Sequence, residues 1–494
     1  MNAGTLSRGD WAALRLPIAG SRVVVARGDE VEDLDPTTQE VVARLRTSIP
    51  ADVAEAVGRA EAAFKTTSWR SDGRLRSQVL WRFAERLRTN VEPLAELLTR
   101  EQGKTIGEAR SEISGSADMV EYYAGLARSL YGRSAVLGEH VHGVVVREPV
   151  GVVAVITPWN WPLTLLMRSL APALAAGNTC VVKPASLTPA ITVRALDLLA
   201  EDGTLPDGVV TCVLGPGSVV GDALVGAPGV EMIAFTGESG TGTAVMQRAA
   251  LGTRKVALEL GGKSPNIVFA DANLEKALDG AMNAIFTTSG QICTAGSRLL
   301  LESSIYESFV ARLVERVATL QMGDPLLATT TLAPLVSADQ RRTVEDYIAL
   351  GRKEGTVLTG GEPPSEEYLA RGYFVPATVI VDLPLTSAVV REEIFGPVLT
   401  VHPFAAEGEA VALAEDTDFG LAAGIWTSDL DRAWRVGRAV RSGTVWINTY
   451  HHFYPEAEVG GFRRSGLGRQ QGIEGLLEFT ETKHLNFDAK PTLW

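Results

Sequence analysis

Apolar side chains recur at helical spacing through the first part of the chain. Short extended pieces and a turn at 35–38 come first, and apolar positions then repeat every three or four residues over 53–64 and 80–98. This period predicts amphipathic helices that pack on a core. Pro93 predicts that a new helix begins near Asn90, because proline fits the first turn of a helix but not its interior.

Further along, the pattern becomes extended. Residues 142–149 have the mixed character of a partly exposed strand, helical stretches such as 190–199 separate later runs, and a long helical stretch is predicted to run through Cys293. Short runs that are mostly apolar occur at 151–156, 180–182, 209–214, 232–235, 256–258 and 266–269. Strands buried on both faces and alternating with helices predict a doubly wound parallel α/β sheet, which binds ligands at the carboxyl ends of its strands. The series continues to about Ile447.

Size and composition narrow the class of protein. The 494 residues exceed the ~250–300 that one hydrophobic core serves, so two or three domains are expected. The net charge of −13 disfavours nucleic acid and anionic membranes as partners. Three cysteines without a Cys-x-x-Cys pair disfavour a disulfide framework or a zinc site. We therefore expect no metal site. No secretion signal or membrane-spanning run is visible, so we expect a cytoplasmic protein.

Three segments carry candidate chemistry. Cys293, in Thr-Ser-Gly-Gln-Ile-Cys-Thr-Ala-Gly at 288–296, supplies a thiolate nucleophile. Most isolated cysteines are buried small hydrophobic residues instead, and this interpretation suits Cys180 and Cys212. Glu259 ends an apolar strand before a Gly-Gly turn, where burial would raise its pKa and make it a base. A helix cap or a salt bridge is the ordinary alternative for a lone glutamate.

Asn160 follows the 151–156 strand, in Thr-Pro-Trp-Asn-Trp-Pro at 157–162. Its amide can donate to a developing oxyanion together with the Cys293 backbone N–H, although an asparagine between prolines is also an ordinary turn residue. Further motifs are Lys-Pro-Ala-Ser at 183–186, Phe-Thr-Gly-Glu-Ser-Gly-Thr-Gly at 235–242, Glu-Glu-Ile-Phe-Gly-Pro-Val at 392–398 and the glycine-rich 460–469. In this order, and with 34 residues between Glu259 and Cys293, the chain closely resembles the aldehyde dehydrogenase superfamily over nearly its whole length.

The resemblance implies a catalytic sequence. Cys293 attacks the aldehyde carbon, Asn160 and the Cys293 N–H hold the oxyanion, hydride passes to NAD or NADP, and Glu259 activates the water that hydrolyses the thioester. The cofactor contacts that the resemblance implies are Thr157, Pro158, Trp159, Lys183, Ser186, Gly217, Gly237, Ser239, Gly242, Leu260, Glu393 and Phe395. Because acyl transfer to coenzyme A generally goes with loss of the glutamate, Glu259 favours the hydrolytic reaction.

Two positions depart from the family pattern. Ser186 stands where many NAD-preferring relatives carry glutamate. An acidic residue there repels a 2′-phosphate, so the serine favours acceptance of NADP. Glu238 stands where the family usually has serine. We expect its carboxylate to turn away from the pyrophosphate, with Ser239 supplying the hydroxyl.

Substrate signals conflict. Trp161, Leu165, Arg168 and Thr294 are the expected substrate contacts. If Arg168 faces the tunnel rather than a surface salt bridge, it favours an aldehyde that carries a carboxylate, as in succinate-semialdehyde dehydrogenases. Those relatives have a second arginine where this chain has Thr287. In contrast, the aromatic segment at 449–458, with its acidic pair Glu456 and Glu458, resembles the betaine- and amino-aldehyde branch.

The resemblance also implies an organisation of the chain. We expect a Rossmann-like cofactor domain at 1–130 and 150–261, an α/β catalytic domain at 262–462, and a small β oligomerisation element at 131–149 and 463–494. The apolar run 144–146 and the tail at 478–481 would add strands across a subunit interface. A homodimer or a homotetramer follows.

Two other functions fit parts of the sequence. A cysteine-dependent esterase would need a histidine beside Cys293, and none of the six histidines lies in a catalytic motif of the family. A non-catalytic nucleotide-binding protein would be expected to lack Cys293 or Glu259, and both are present.

Overall fold

The computed structural model of the protein describes residues 15–16 and 23–488. Its strands are β1 (Arg15–Leu16), β2 (Glu30–Leu34), β3 (Val41–Arg46), β4 (Arg133–Val136), β5 (Val141–Pro149), β6 (Val152–Ile156), β7 (Thr179–Lys183), β8 (Val210–Cys212), β9 (Val230–Thr236), β10 (Lys255–Glu259), β11 (Pro265–Val268), β12 (Arg298–Glu302), β13 (Thr356–Thr359), β14 (Thr378–Val381), β15 (Val398–Phe404), β16 (Ala422–Trp426), β17 (Thr444–Ile447), β18 (Gly466–Leu467) and β19 (Thr480–Asp488).

Helices cover most of the remaining described chain. They are α1 (Pro50–Thr66), α2 (Gly73–Thr89), α3 (Val91–Gln102), α4 (Ile106–Leu126), α5 (Pro162–Ala176), α6 (Pro189–Ala200), α7 (Asp222–Gly226), α8 (Ser239–Ala250), α9 (Leu274–Phe286), α10 (Tyr306–Val317), α11 (Ala338–Glu354), α12 (Glu367–Arg371), α13 (Ala388–Arg391), α14 (Glu407–Glu415), α15 (Leu430–Ala439) and α16 (Gly472–Leu477). No helix in this described part is both long and apolar enough to cross a bilayer.

The first large sheet has six strands in the order β18-β10-β9-β6-β7-β8, and all but β18 are parallel. Every residue of its central strand β6 is buried. Val153 and Val155 pack in a core with α2 to α6, whereas Val152 and Ala154 pack in a second core with α1, α7 and α8. Because successive side chains of a strand point to opposite faces, one continuous apolar run serves both helical layers.

The second large sheet repeats this plan with seven strands, in the order β13-β14-β15-β12-β11-β16-β17, and only β13 is antiparallel. Val268 of β11 packs towards α9 and α10, and Ile267 packs towards α14 and α15. The doubly wound α/β arrangement expected from the apolar runs is therefore confirmed in both halves.

A small antiparallel sheet, β19-β5-β4, joins the two distant segments expected to cooperate in assembly. β5 and β19 pair over nine residues, from Pro149 with Thr480 to Val141 with Asp488. The pairing occurs within one chain, and all of β19 after Thr480 is exposed. One edge of β19 thus has no neighbouring strand among the described residues.

Two local expectations had different outcomes. Asn90 lies between α2 and α3 and caps the second of them, so the helix start near Pro93 is confirmed. The helical stretch through Cys293 is wrong in its last part, because α9 ends at Phe286. Thr288 and Ser289 then have left-handed backbones, with φ of 48° and 54°, and a helix cannot continue through them. Cys293 therefore lies in the loop before β12.

Candidate active site

Three chain segments meet around Cys293. Asn160 follows β6, Glu259 is the last residue of β10, and Cys293 lies in the loop before β12. Cys293 and Asn160 line a cavity of about 610 Å³. Cys293 and Glu259 line a second, narrower cavity that shares Leu165, Arg168, Thr294 and Phe453 with the first. The three candidate catalytic residues therefore line two adjoining cavities, with Asn160 and Glu259 placed at the carboxyl ends of the parallel strands β6 and β10.

The Cys293 thiol is partly accessible through these cavities. Its removal from bulk water raises its pKa to about 11, although Arg168 partly opposes this shift. Cys180 and Cys212 are fully buried, as expected of small core residues. Cys293 thus differs from them in access, and near neutral pH it holds its proton when the site is empty.

Glu259 is 6% exposed and makes no ion pair with a described residue. Burial raises its pKa to about 8, while Arg168 and Arg469 favour the charged form. The side chain caps no helix of the described part, so the ordinary alternatives for this glutamate do not apply. A carboxyl group with this pKa is mostly protonated at neutral pH and becomes a usable base as the pH rises past about 8.

The Asn160 side chain points towards the nucleophile loop. Its Nδ2 donates a hydrogen bond to the Gln291 carbonyl oxygen at 2.9 Å, and its own carbonyl oxygen accepts one from Lys104 Nζ at 2.8 Å. Gly262 allows this loop to approach closely, because a Cβ at that position would lie 2.6 Å from the Cys293 carbonyl oxygen. The amide donor is therefore held two residues from the nucleophile.

Arg168 faces the cavities rather than the surface. It is 8% exposed, it lines both cavities beside Cys293, and its Nε has no hydrogen-bond partner. Among the described residues it forms no salt bridge, and its guanidinium lies 5.1 Å from the centre of the Phe453 ring. The surface salt-bridge interpretation is wrong, and a buried cation is available to the substrate space. Trp161, Leu165 and Thr294 line the same space.

The acidic pair Glu456 and Glu458 was expected beside the substrate but lines neither cavity. Glu458 instead accepts hydrogen bonds from the backbone amides of Ile473 and Glu474, because the first turn of α16 offers free N–H groups. The acidic residues that do line the larger cavity are Glu108, Glu112 and Asp118, which sequence reasoning missed.

The aromatic segment at 449–458 that the sequence singled out does reach the larger cavity. Tyr450, His451 and His452 line the larger cavity with Cys293. Burial lowers the pKa of His451 to about 4, so this imidazole is neutral at physiological pH. A spacing of four residues among Lys104, Glu108 and Glu112 was the available signal for one helical face.

Some of the expected cofactor residues contact one another or the nucleophile region. The Trp159 and Phe395 rings meet edge to face with centroids 5.3 Å apart. The Glu393 carboxylate accepts a hydrogen bond from Gly262 N at 3.0 Å, and burial raises its pKa to about 7. A cavity of about 550 Å³ lies between Glu393 and the start of α8. Two of the expected cofactor residues, Ser239 and Glu393, line this cavity.

Hydrogen-bond donors also lie at the residues that were expected to bind the adenosine half of the cofactor. The Lys183 ammonium is buried and donates to the Pro184 carbonyl oxygen. Ser186 is exposed, and its Oγ donates to the Gly215 carbonyl oxygen at 2.9 Å. Gly217 begins a π-helical turn and has open space where a Cβ would lie. Thr157 N donates to the Lys183 carbonyl oxygen, and this hydrogen bond joins the carboxyl ends of β6 and β7.

The start of α8 differs from the expectation. The Glu238 carboxylate does not turn away but accepts hydrogen bonds from Gly240 N at 2.6 Å and Thr241 N at 2.7 Å. Partial burial opposes its ionisation, yet these amide bonds outweigh it and lower its pKa. The Ser239 hydroxyl donates to the Arg464 carbonyl oxygen. Nearby, Gly237 N donates to the Glu259 carbonyl oxygen.

Gly242 permits close packing of α8 on the sheet, since a Cβ there would lie 2.4 Å from Leu260 Cδ2. Leu260 itself is buried, and its N–H donates to the Ser465 carbonyl oxygen. The glycine therefore brings the first turn of α8 close to the residue that follows Glu259.

A model of the aldehyde dehydrogenase family matches residues 24–485, and the chain therefore belongs to this family. It is 42% identical to betaine aldehyde dehydrogenase of Bacillus subtilis (strain 168) over 462 residues, which cover 93% of this chain and 94% of the relative. Two crystal structures of Staphylococcus aureus betaine aldehyde dehydrogenase in complex with NAD+ match with a TM-score of 0.92 and 37% identity. Each covers 94% of this chain and 92% or 93% of its own. The fold and enzyme class implied by the motifs are confirmed.

Proposed function

We propose that this aldehyde dehydrogenase oxidises a small aldehyde to a carboxylic acid with NAD, through a thioester on Cys293. The convergence of Cys293, Asn160 and Glu259 on two adjoining cavities carries the proposal. The similar S. aureus enzyme was crystallised with NAD+, which supports NAD as cofactor. Glu259 gives the hydrolytic outcome its base.

The residues suggest a defined order of events. The Cys293 sulfur loses its proton to Glu259, which passes it on to solvent, and the sulfur bonds to the aldehyde carbon. Asn160 Nδ2 and the Cys293 N–H then donate to the oxyanion. The bound nicotinamide would supply a hydride acceptor, so that the carbon becomes a thioester. Glu259, again ionised, takes a proton from water, whose oxygen bonds to the thioester carbon, and the carbon–sulfur bond breaks to release the acid.

The cofactor residues take separate roles in this proposal. Lys183 and Ser186 bind the adenosine ribose, Glu393 bonds the nicotinamide ribose, and Phe395 packs near the ring. The pyrophosphate approaches the first turn of α8, where backbone N–H groups favour an anion. The other proposed contacts are Thr157, Pro158, Trp159, Gly217, Gly237, Ser239, Gly242 and Leu260. Because Ser186 brings no negative charge, NADP is accepted as well.

For the substrate, the relatives support a betaine-type aldehyde, since both named enzymes are betaine aldehyde dehydrogenases. The aromatic cavity residues Trp161, Tyr450 and Phe453 are suited to a quaternary ammonium. A second candidate is a carboxylate-bearing semialdehyde. The buried, unpaired Nε of Arg168 beside Cys293 favours it, because a carboxylate would satisfy that group.

One experiment tests the reaction and the substrate together. Purified enzyme is given betaine aldehyde, succinic semialdehyde and uncharged butyraldehyde with NAD or NADP, and reduced cofactor is followed by absorbance. The proposal expects oxidation in the wild type and none in Cys293→Ala, while NAD still binds to the variant. Equal oxidation by Cys293→Ala would contradict the proposal.

The alternatives have distinct outcomes in the same assays. His451 and His452 line the cavity with Cys293, which keeps a cysteine esterase worth testing. That function requires cofactor-independent ester cleavage that depends on one of these histidines. A non-catalytic nucleotide-binding protein would bind NAD and oxidise no aldehyde.

We also propose the domain division expected above, with 1–130 and 150–261 for the cofactor, 262–462 for catalysis, and 131–149 with 463–494 for assembly. The exposed strand β19 supports a homodimer or a homotetramer, because free strand edges require cover. The proposed location is the cytoplasm. Analytical ultracentrifugation tests the assembly, and a monomer at micromolar concentration would contradict it.

A further inference from the structure

Three charged side chains line up at the start of α4 beneath the active site. Lys104 lies just before α4, and Glu108 and Glu112 lie one turn apart on one face of that helix. Glu108 and Glu112 line the cavity that contains Cys293. We call Lys104, Glu108 and Glu112 the positioning stripe.

Glu108 contacts the nucleophile loop. Its Oε1 accepts hydrogen bonds from Thr288 N at 2.5 Å and from Thr288 Oγ1 at 3.3 Å. Its Oε2 accepts from Thr105 N and Thr105 Oγ1, which fixes the carboxylate in place. Thr288 has the left-handed backbone that ends the preceding helix. Glu108 thus stabilises the conformation that directs the loop to Cys293.

Lys104 and Glu112 contact the chain segment that carries Asn160. Lys104 Nζ lies 2.5 Å from Glu112 Oε2 and 2.8 Å from the Asn160 carbonyl oxygen, and 3.8 Å from the centre of the Trp161 ring. Glu112 Oε1 accepts from Leu163 N at 2.8 Å and from Thr164 N at 3.1 Å. One ion pair therefore fixes both the segment that carries Asn160 and the first turn of α5.

A contribution to folding stability does not by itself explain why Lys104 and Glu112 form a buried ion pair. Both side chains are completely buried, and the cost of removing two charges from water commonly offsets their mutual attraction. An apolar pair of similar volume would serve packing as well. The ion pair adds directed hydrogen bonds, and three of these reach the backbone of Asn160 or of the residues that follow it.

We propose that the positioning stripe holds the Asn160 segment and the Cys293 loop in the relative position at which Asn160 Nδ2 and the Cys293 N–H reach one oxyanion. The two donors come from loops of different sheets. The stripe, at the start of α4, bonds to the Asn160 segment through Lys104 and Glu112 and to the Cys293 loop through Glu108. The inference rests on the proposed function, because it assigns Asn160 its role. The three residues act through Asn160 and Cys293 and do not touch the reacting atoms.

The test removes the ion pair without leaving a lone buried charge. The double variant Lys104→Met/Glu112→Leu is expected to lower kcat for an aldehyde on the order of 100-fold, because small displacements of catalytic groups cost about that much. The KM for NAD and the Kd for NAD from tryptophan fluorescence are expected to stay unchanged. In an Asn160→Ala background the same double substitution is expected to lower kcat little further.

The last measurement separates positioning from general damage. If the two effects on kcat multiply, the stripe does not act through Asn160 and the inference fails. An unchanged kcat in the double variant also overturns it. If the double variant does not fold, Glu108→Gln takes its place and is tested in the same cycle, with a smaller loss expected because one oxygen acceptor remains.

A matched control comes from a remote ion pair. Arg86 of α2 lies 2.6 Å from Asp202, and both are only partly buried. Arg86→Met is expected to lower the melting temperature without changing kcat. A failure of the proposed function is recognisable separately, since Cys293→Ala would then still oxidise aldehydes.

Discussion

The guanidinium of Arg168 lies 5.1 Å from the centre of the Phe453 ring. A cation of the protein itself therefore occupies an aromatic face that a quaternary ammonium substrate would use. Lys104 also contacts the Trp161 ring, from a completely buried position outside the cavity lining. The aromatic composition of the cavity favours a cationic aldehyde, but the charges already placed on its rings favour an anionic one.

Replacing Arg168 resolves this conflict. Arg168→Leu is expected to lower kcat/KM for succinic semialdehyde by about 10–100-fold, the value of a lost charge-assisted hydrogen bond of ~1.5–3 kcal/mol. The same change frees the Phe453 ring and removes repulsion, so kcat/KM for betaine aldehyde is expected to rise. Butyraldehyde serves as the uncharged control. Equal losses for all three substrates would show that Arg168 does not select substrate charge.

The pH dependence of turnover follows from Glu259. Burial raises its pKa to about 8, so the side chain is mostly protonated below that pH and cannot accept a proton. Turnover limited by thioester hydrolysis is therefore expected to rise from about pH 6 to about pH 9. In Glu259→Gln the rise is expected to disappear and turnover to fall by roughly 10²–10⁴-fold.

A stopped-flow experiment isolates this step. Glu259→Gln is expected to release one equivalent of reduced cofactor in a first burst, if Cys293 can still lose its proton to water, and then to stall as the acyl-enzyme. A variant that shows a normal steady state would exclude Glu259 as the hydrolytic base.

Glu238 is expected to weaken cofactor binding. Its carboxylate accepts the Gly240 and Thr241 amide hydrogen bonds that an incoming phosphate would need. Glu238→Ser is expected to lower the Kd for NAD about tenfold, since a helix cap contributes ~1 kcal/mol and a negative charge is also removed. Isothermal titration calorimetry measures the change.

The control for Glu238 is another helix cap. Asp72 accepts a hydrogen bond from Leu75 N at 2.9 Å at the start of α2. Asp72→Ser is expected to affect the melting temperature and leave the Kd for NAD unchanged. Weaker NAD binding by Glu238→Ser would mean that the carboxylate helps rather than competes.

Cofactor choice is tested at Ser186. Ser186→Glu places a negative charge where a 2′-phosphate would lie, and kcat/KM with NADP is expected to fall by about 10–100-fold relative to NAD. Ser186→Ala removes only the hydrogen bond to Gly215 and controls for local disturbance. If Ser186→Glu leaves the ratio of the two cofactors unchanged, the residue does not set the preference.

Sequence reasoning located the strands that build the site because a short apolar run is a local signal. The apolar run of β6 and the glutamate at the end of β10 already define two of the three segments. It failed at Thr288, whose left-handed backbone is stabilised by hydrogen bonds that Thr288 donates to Glu108, 180 residues away. No local pattern encodes a contact of that kind.

The charged residues show the same limit. Glu458 was expected beside the substrate, whereas the backbone of α16 binds it. Glu238 was recognised as unusual, but the direction of its carboxylate depended on which amides lay within reach. Residue type indicated the chemistry in both cases, and only the fold determined the partner.

The protonated state of Cys293 bears on the durability of the enzyme. Hydrogen peroxide attacks thiolates, and a sulfur that keeps its proton oxidises slowly to sulfenic acid. Burial raises the pKa of this thiol to about 11, so the sulfur is mostly protonated near neutral pH and its oxidation is expected to be slow.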